Sequence, residues 1–133
     1  MTVLVDSNVL LDIFTEDPKW YSWSSRQLTR SAESEILAIN PIIYSEVSVR
    51  FRQIEELEDA IPEHYFKRLF IPYEAAFLAG KCFLKYKKQG GKRSVPLPDF
   101  FIGAHAAVSK LSLLTRDPSR YQHYFPSVKL IAP

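Results

Sequence analysis

The chain has 133 residues, of which 47% are hydrophobic and 14% aromatic, so we expect one domain spanning residues 1–133 around one core. Lys and Arg number 17 against 15 Asp and Glu, and the resulting net charge of +2 indicates no particular class of partner. A single cysteine excludes an internal disulfide, and no uncharged apolar run approaches the ~18 residues of a membrane span. We therefore expect a cytoplasmic protein without a leader segment or membrane contact.

The first half of the chain alternates apolar strands with helical patterns. Residues 2–5 (TVLV) predict a buried strand, and the following DSNVLLDIF has helical spacing. Residues 35–39 (EILAI) predict a second strand. Asn40 and Pro41 then suit the N-cap and first position of a helix.

The middle of the chain is more charged. Residues 53–69 (QIEELEDAIPEHYFKRL) predict a helical hairpin or two short helices separated near Pro62. A long helix follows over PYEAAFLAGKCFLKYKKQGG, closed by Gly90 and Gly91. A basic loop, KRSVPL at 92–97, leads into the next helix.

The last third contains a helix that begins near Asp99, followed by predicted strands at 111–115 (LSLLT) and 128–132 (VKLIA). Between these strands, RDPSRY predicts a turn or one helical turn. The whole pattern indicates an α/β fold with a mostly parallel sheet of four to five strands covered by helices. Functional groups of such sheets gather outside the C-terminal ends of the strands.

Four acids suit that edge, although each also has a local explanation. Asp6 directly follows a predicted strand, Asp117 comes two residues after another, and both could cap the next helix. Asp99 could complement a helix dipole. Glu46 lies beside the apolar stripe of its helix and could pair with Arg50. The local evidence for these structural roles is about as good as that for function.

Considered together, the four acids point to a metal site. Asp6 and Asp117 end two strands, and Glu46 and Asp99 lie on helices that should dock beside them, so parallel strands would bring all four to one edge. Clustered carboxylates require neutralisation, and oxygen ligands suit Mg²⁺ or Mn²⁺. The three histidines have no zinc-site spacing and are interpreted as structural or surface residues: His64, His105 and His123.

Four segments then carry a family resemblance, in this order from about Val3 to Ile131: VLVDSNVLLD, SEV, LPDFFIGAHA and LLTRDPSRY. Together they resemble the PIN domain, in particular the VapC-like toxins of prokaryotic type II toxin–antitoxin systems. The resemblance implies a metal-dependent ribonuclease with a parallel sheet. It also implies a homodimer that an antitoxin holds inactive.

The resemblance also implies roles for individual residues. Asp6 and Asp99 would bind the metal directly, Glu46 would complete the ligand set directly or through water, and Asp117 would support a second metal or the water network. Two further residues would orient these carboxylates, namely Asn8 and Thr115, and Ser7 could do the same or only cap its helix. His105 departs from the small or hydroxylated residue more common there, and its simplest placement faces outward.

The corresponding hypothesis is hydrolysis of RNA by a metal-activated water, leaving a 5′-phosphate and a 3′-hydroxyl. Arg93 and Arg116 are the preferred RNA contacts because their neighbours are the acids. Other basic candidates are Lys85, Lys87, Lys88, Lys92 and Arg120. The lysines near the end of the long helix could equally serve its C-terminal dipole.

Two alternatives stay open at the level of sequence. The chain could be a catalytically inactive PIN-like domain with an RNA-binding or regulatory function. It could also be a phosphotransfer enzyme, although such an enzyme needs an Asp where Asn8 stands.

The aromatic group of Trp20, Tyr21 and Trp23 could stack on bases, cover an interface or pack on the core.

Overall fold

A parallel five-stranded sheet forms the centre of the fold in the computed structural model, which describes residues 1–93 and 97–133. Its spatial order is β3-β2-β1-β4-β5, and every pairing is parallel. The strands are β1 (Thr2–Val5), β2 (Ile36–Ile39), β3 (Lys67–Arg68), β4 (Ser112–Leu114) and β5 (Leu130–Ile131). The predicted α/β class and the predicted sheet are confirmed.

Seven helices within the described ranges surround this sheet: α1 (Ser7–Phe14), α2 (Tyr21–Ser34), α3 (Pro41–Ser48), α4 (Ile54–Ala60), α5 (Tyr73–Lys88), α6 (Pro98–Ser109) and α7 (Ser119–Tyr124). Of the predicted loop at 92–97, residues 94–96 lie outside the described part of the chain. In that described part, none of the helices combines the length and apolarity needed to cross a membrane.

The predicted helix starts and stops are largely confirmed. The Asn40 side chain caps α3 by accepting the N–H of Ile43 at 2.9 Å, with Pro41 as the first helical residue. Helix α5 ends at Lys88, and Gly90 follows with φ of +92°, a conformation that glycine adopts without strain.

The segment 53–69 differs from its prediction. Its first half forms α4, but its second half forms the short strand β3 in place of a second helix. Pro62 stops α4, and β3 is held by pairing with β2 and by a bond from the Leu69 N–H to the Ile39 carbonyl at 2.9 Å. A two-residue strand shows no periodicity, so only the neighbouring strand reveals it.

The order of strands places a crevice at the end of β1. Strands β2 and β3 extend the sheet to one side of β1, and the chain then returns to place β4 and β5 on the other side. Immediately after β1, the Asp6 N–H still bonds the Leu114 carbonyl of β4 at 2.9 Å. The residues that follow β1 therefore lie next to those that follow β4, at the topological switch point where the order of strands reverses direction.

The core lies on both faces of the sheet. Leu4, Ile39 and Leu113 are fully buried, each worth about 2 kcal/mol of transfer free energy. Helix α6 also packs closely on the end of α7, because a Cβ at Gly103 would lie 2.3 Å from a ring carbon of Phe125, the residue that follows α7. This close approach fixes the middle of α6 against the end of α7.

Candidate active site

Asp6 is the most firmly held acid at this edge. Its side chain is the N-cap of α1, since Oδ1 accepts the Ser7 N–H at 2.8 Å. Its other oxygen, Oδ2, accepts the hydroxyls of Thr115 and Tyr121, both at 2.9 Å. Asp6 thus serves as a helix cap, as its local sequence suggested, and also lies at the centre of a polar cluster.

Thr115 and Asn8 complete the surroundings of Asp6. The Asn8 amide lies 3.3 Å from Asp6 Oδ2 and donates to the Thr115 hydroxyl at 3.2 Å. The side-chain oxygen of Asn8, Oδ1, accepts the backbone N–H of Arg116 at 3.3 Å, which connects α1 to the chain after β4. Both residues therefore lie where the sequence expected groups that orient Asp6.

Glu46 reaches the same cluster from α3. Its Oε1 accepts the Ser7 hydroxyl at 2.8 Å, and that hydroxyl also lies 3.4 Å from Asp6 Oδ1. Ser7 thus stands between the two acids in addition to its place at the start of α1. No ion pair joins Glu46 to Arg50 among the described residues, so the pairing considered from sequence is not formed.

Asp99, the second residue of α6, approaches Asp6 through the hydroxyl of Tyr121. That hydroxyl is 2.9 Å from Asp6 Oδ2 and 3.3 Å from Asp99 Oδ1. The other Asp99 oxygen lies 3.4 Å from Nη1 of Arg120. Asp99 makes no cap bond to its own helix, but it lies in the first turn, where a carboxylate complements the helix dipole as considered from sequence.

Asp117 lies at the exposed rim of the cluster. Its backbone N–H donates to the Thr115 hydroxyl at 3.1 Å. Its carboxylate does not cap α7, which starts at Ser119 with Pro118 in the cap position, so the cap considered as an alternative from sequence is not formed. Asp117 shares a surface depression with Asp99, and its charge contributes to the raised pKa of Asp99.

Asp6, Glu46 and Asp99 have raised pKa values. Burial, followed by the charge of Asp99, raises the pKa of Asp6 from 3.8 to about 6. Burial is also the main reason why the pKa values of Glu46 and Asp99 are raised. Burial and the neighbouring carboxylates raise the pKa of Tyr121 well above its usual value, so its hydroxyl remains a hydrogen-bond donor.

The chemistry of the cluster fits a hard divalent cation. All its donors are oxygen atoms, and the buried Asp6 has no cationic hydrogen-bond partner among the described residues. As they stand, no three His, Cys, Asp or Glu side chains in the described ranges are close enough to enclose an ion. The hydroxyls of Tyr121 and Ser7 separate Asp6 from Asp99 and from Glu46.

Arg116 is bound within the protein. Its Nε donates to both oxygens of the buried Asp12, at 3.1 and 2.9 Å, and Asp12 also accepts the Ser24 hydroxyl at 2.8 Å. Its guanidinium lies 5.6 Å from the centre of the Trp20 ring. Arg93 is exposed beyond α5, and within residues 1–93 and 97–133 it pairs with none of the site acids.

The three aromatic residues considered for base stacking, Trp20, Tyr21 and Trp23, have different surroundings in the fold. Trp23 packs on the core, Trp20 contacts it edge to face at 6.1 Å, and Tyr21 is 41% exposed. Core packing therefore accounts for Trp23. Trp20 stays beside Arg116, near the acid cluster.

Sequence reasoning missed Tyr121 and Asp12 and misplaced His105. Tyr121 follows Asp117 by four residues and ends the LLTRDPSRY segment, which could have indicated its side chain. His105 is 1% exposed and faces inward, with Nδ1 3.0 Å from the Asn40 amide, because α6 packs on α3. Burial lowers the pKa of His105, so the histidine has the structural role that was expected but not the outward placement.

Comparison with protein families gives one match. The family described as the PIN domain matches residues 3–125, which is most of the chain and includes all four acids. A comparison with curated proteins finds no match.

Solved structures share the fold over nearly the whole chain. VapBC2 of Rickettsia felis, bound to a promoter DNA fragment, is similar with a TM-score of 0.74 and 17% identity, covering 100% of this chain and 99% of that one. VapBC-1 of nontypeable Haemophilus influenzae gives 0.72 and 16%, covering 99% and 98%. A toxin–antitoxin complex from Klebsiella pneumoniae gives 0.68 and 25%, covering 95% and 94%.

Proposed function

Because the chain belongs to the PIN domain family, we propose that it is a Mg²⁺- or Mn²⁺-dependent endoribonuclease and the toxin of a toxin–antitoxin pair. The observation that carries the proposal is the meeting of Asp6, Glu46 and Asp99 from three separate elements around two hydroxyl groups. The raised pKa of the buried Asp6 supports it, since a cation would relieve the unfavourable charge there.

Asp6 and Asp99 are the proposed direct ligands, with Glu46 completing the set and Asp117 at the rim. A divalent cation bound there would supply positive charge to the phosphodiester and lower the pKa of a water molecule. Thr115 and Asn8 fix the orientation of Asp6 through hydrogen bonds, so that it meets a ligand in a defined position.

The proposed reaction is direct hydrolysis. The oxygen of water forms a new bond to phosphorus, the bond from phosphorus to the 3′-oxygen breaks, and that oxygen leaves with a proton as a 3′-hydroxyl. No side chain has to act as the nucleophile. The Ser7 hydroxyl donates a hydrogen bond to Glu46, and Cys82 is buried on α5. Both observations agree with this scheme.

RNA is the proposed substrate, and arginines beside the acids would offset their repulsion of phosphate. Arg120 contacts Asp99 and is 38% exposed, which makes it the best placed of the basic candidates. Arg93 and Arg116 remain proposed RNA contacts. For Arg116 the contact would have to use the Nη atoms, since Nε is bound to Asp12.

The proposed partners are a cognate antitoxin and a second copy of the chain, in the cytoplasm where RNA is found. Support comes from the resemblance and from the toxin–antitoxin complexes among the structural neighbours. Exposed aromatic side chains at the start of α5 leave apolar surface available for protein contacts, with Tyr73 at 91% and Phe77 at 68%. Light scattering of the chain alone, and with the product of an adjoining reading frame, tests both partners.

The activity is tested with single-stranded RNA in Mg²⁺ or Mn²⁺, with EDTA as the control for metal dependence. We expect Asp6→Asn and Asp99→Asn to abolish cleavage, whereas Asp59→Asn, the same change on the exposed face of α4, should leave it unchanged. Undiminished activity in both site variants would refute the assignment. A wild-type chain that binds RNA but never cuts it would support the inactive alternative.

The products distinguish the mechanism. Direct hydrolysis needs no 2′-hydroxyl, so an RNA with one 2′-deoxynucleotide at the cleavage position should still be cut and yield a 5′-phosphate. A 2′,3′-cyclic phosphate product, or complete resistance of the deoxy substrate, would contradict the metal–water scheme.

A further inference from the structure

The Tyr121 hydroxyl occupies the space between two acids that the proposed function treats as metal ligands. It lies 2.9 Å from Asp6 Oδ2 and 3.3 Å from Asp99 Oδ1, on a side chain that is 1% exposed. The hydroxyl has a single proton, which it shares between the two carboxylates, and the shorter distance makes the hydrogen bond to Asp6 the stronger one. The Asp99 contact is thus the weaker of the two.

The two acids differ in how tightly they are held. Asp6 is 3% exposed and accepts bonds of 2.8 to 2.9 Å from three donors. Asp99 is 38% exposed in its side chain, and its contacts with Tyr121 and Arg120 are 3.3 and 3.4 Å. Movement of Asp99 would therefore break only weak contacts, whereas movement of Asp6 would break strong ones.

We propose that Tyr121 is a positioning residue that holds Asp6 and Asp99 apart in the metal-free protein, and that Asp99 exchanges its Tyr121 contact for the cation while Asp6 keeps its own. This inference rests on the proposed function, because it concerns the same acids. It assigns a function in metal binding to a residue that carries no carboxylate and lies outside the set expected from sequence.

The proposal fixes the sign of one measurable effect. In the metal-free protein the Tyr121 hydroxyl contacts both acids, whereas in the metal-bound protein it would contact only Asp6. The hydroxyl therefore stabilises the metal-free protein more than the metal-bound protein. By thermodynamic linkage, removal of the hydroxyl must tighten cation binding. For a long hydrogen bond, we expect a gain in affinity of about 2- to 5-fold.

Tyr121→Phe tests this with little change in packing, because it removes one oxygen and keeps the buried ring. Tyr124→Phe is the matched control: it makes the same change on the same helix, where the hydroxyl donates to the exposed Gln89 at 2.9 Å. The measurement is the affinity for Mn²⁺, from calorimetry or from the magnetic resonance signal of free Mn²⁺, on protein first treated with EDTA.

We expect Tyr121→Phe to bind Mn²⁺ about 2- to 5-fold more tightly than wild type, and to melt at a lower temperature without metal, while Tyr124→Phe binds as wild type does. A purely structural tyrosine would lower the melting temperature and leave Mn²⁺ affinity unchanged. An unchanged or weakened affinity in Tyr121→Phe would therefore overturn the proposal.

A structure of the wild-type protein with Mn²⁺ supplies a second test that depends on no variant. We expect the distance from the Tyr121 oxygen to Asp99 to exceed 3.5 Å, and the bond to Asp6 to remain. Both contacts kept at their present lengths would contradict the exchange. A wild-type chain that binds no Mn²⁺ would instead refute the proposed function, and that result appears before any variant is made.

Discussion

Replacement of Asp6 by Asn should abolish the proposed activity and yet stabilise the metal-free protein. Burial and the charge of Asp99 raise the Asp6 pKa from 3.8 to about 6. At 1.36 kcal/mol per pKa unit, keeping this carboxylate ionised at neutral pH costs the fold about 3 kcal/mol. Asn removes that cost and is an equally good helix cap.

Part of this gain is lost in the hydrogen bonds. The Asn side chain can still accept the Ser7 N–H, but its amide then faces the Thr115 and Tyr121 hydroxyls, which must turn to accept. We therefore expect a net stabilisation of about 1–3 kcal/mol, or roughly 3–10 °C in Tm for a chain of this size.

The assay is thermal or urea unfolding in EDTA at pH 7.5 and pH 4.5, with Asp59→Asn as the exposed control. Because the folded-state pKa of Asp6 is raised, its favourable contribution is complete below pH 3.8 and is lost as the pH rises through about 6. The advantage of Asp6→Asn should therefore shrink by about 2 kcal/mol at pH 4.5. Saturating Mg²⁺ or Mn²⁺ should stabilise the wild type and Asp59→Asn, but not Asp6→Asn.

The reasoning fails if Asp6→Asn is no more stable than wild type at pH 7.5 and its difference from wild type is the same at both pH values. The charge of Asp6 would then carry no net cost in the folded protein. A result of that kind would also remove the main electrostatic support for a cation at this edge of the sheet.

Three further predictions concern the elements that support the site. Burial lowers the pKa of His105, so its own contribution to stability should be lost as the pH drops below 6.5, and the Tm difference between wild type and His105→Gln should shift in favour of the variant over that range. Gly103→Ala should lose about 1–3 kcal/mol in urea unfolding, because its methyl group would overlap the aromatic ring packed against α6, whereas Gly80→Ala, in open space on α5, should gain up to about 1 kcal/mol. Arg116→Ala should lose about 2–4 kcal/mol because it leaves the buried Asp12 without its ion pair; a loss below 0.5 kcal/mol would show that this pair is not structural.

The Arg116 result also affects how substrate binding is studied. An alanine at that position would weaken RNA cleavage through instability alone, and could be mistaken for the loss of a phosphate contact. Arg120→Ala is the cleaner probe of RNA binding, since Arg120 is partly exposed and its contact with Asp99 is 3.4 Å. Salt dependence of RNA binding should decrease in that variant if the arginine contacts phosphate.

The longer elements and the positions of the acids could be predicted from sequence for local reasons. Apolar runs without alternation identified β1, β2 and β4, and Asn40 and Gly90 identified helix boundaries through their own backbone chemistry. Strand β3 could not be predicted, because a two-residue strand exists only through its neighbour. The helix cap considered for Asp117 is not formed, because α7 begins two residues later and several backbone arrangements suit the same dipeptide with proline.

The sequence by itself determined that carboxylates follow two strands and begin or line two helices, and parallel strands made their approach predictable. Only the tertiary structure decided what stands between them: the hydroxyls of Tyr121 and Ser7, and the salt bridge that binds Arg116 to Asp12. The physical reason is that strands and helices are set by interactions between near neighbours, whereas these contacts join residues 22 to 115 positions apart. Such contacts form only where the packing of α3, α6 and α7 against the sheet brings distant side chains within hydrogen-bonding range.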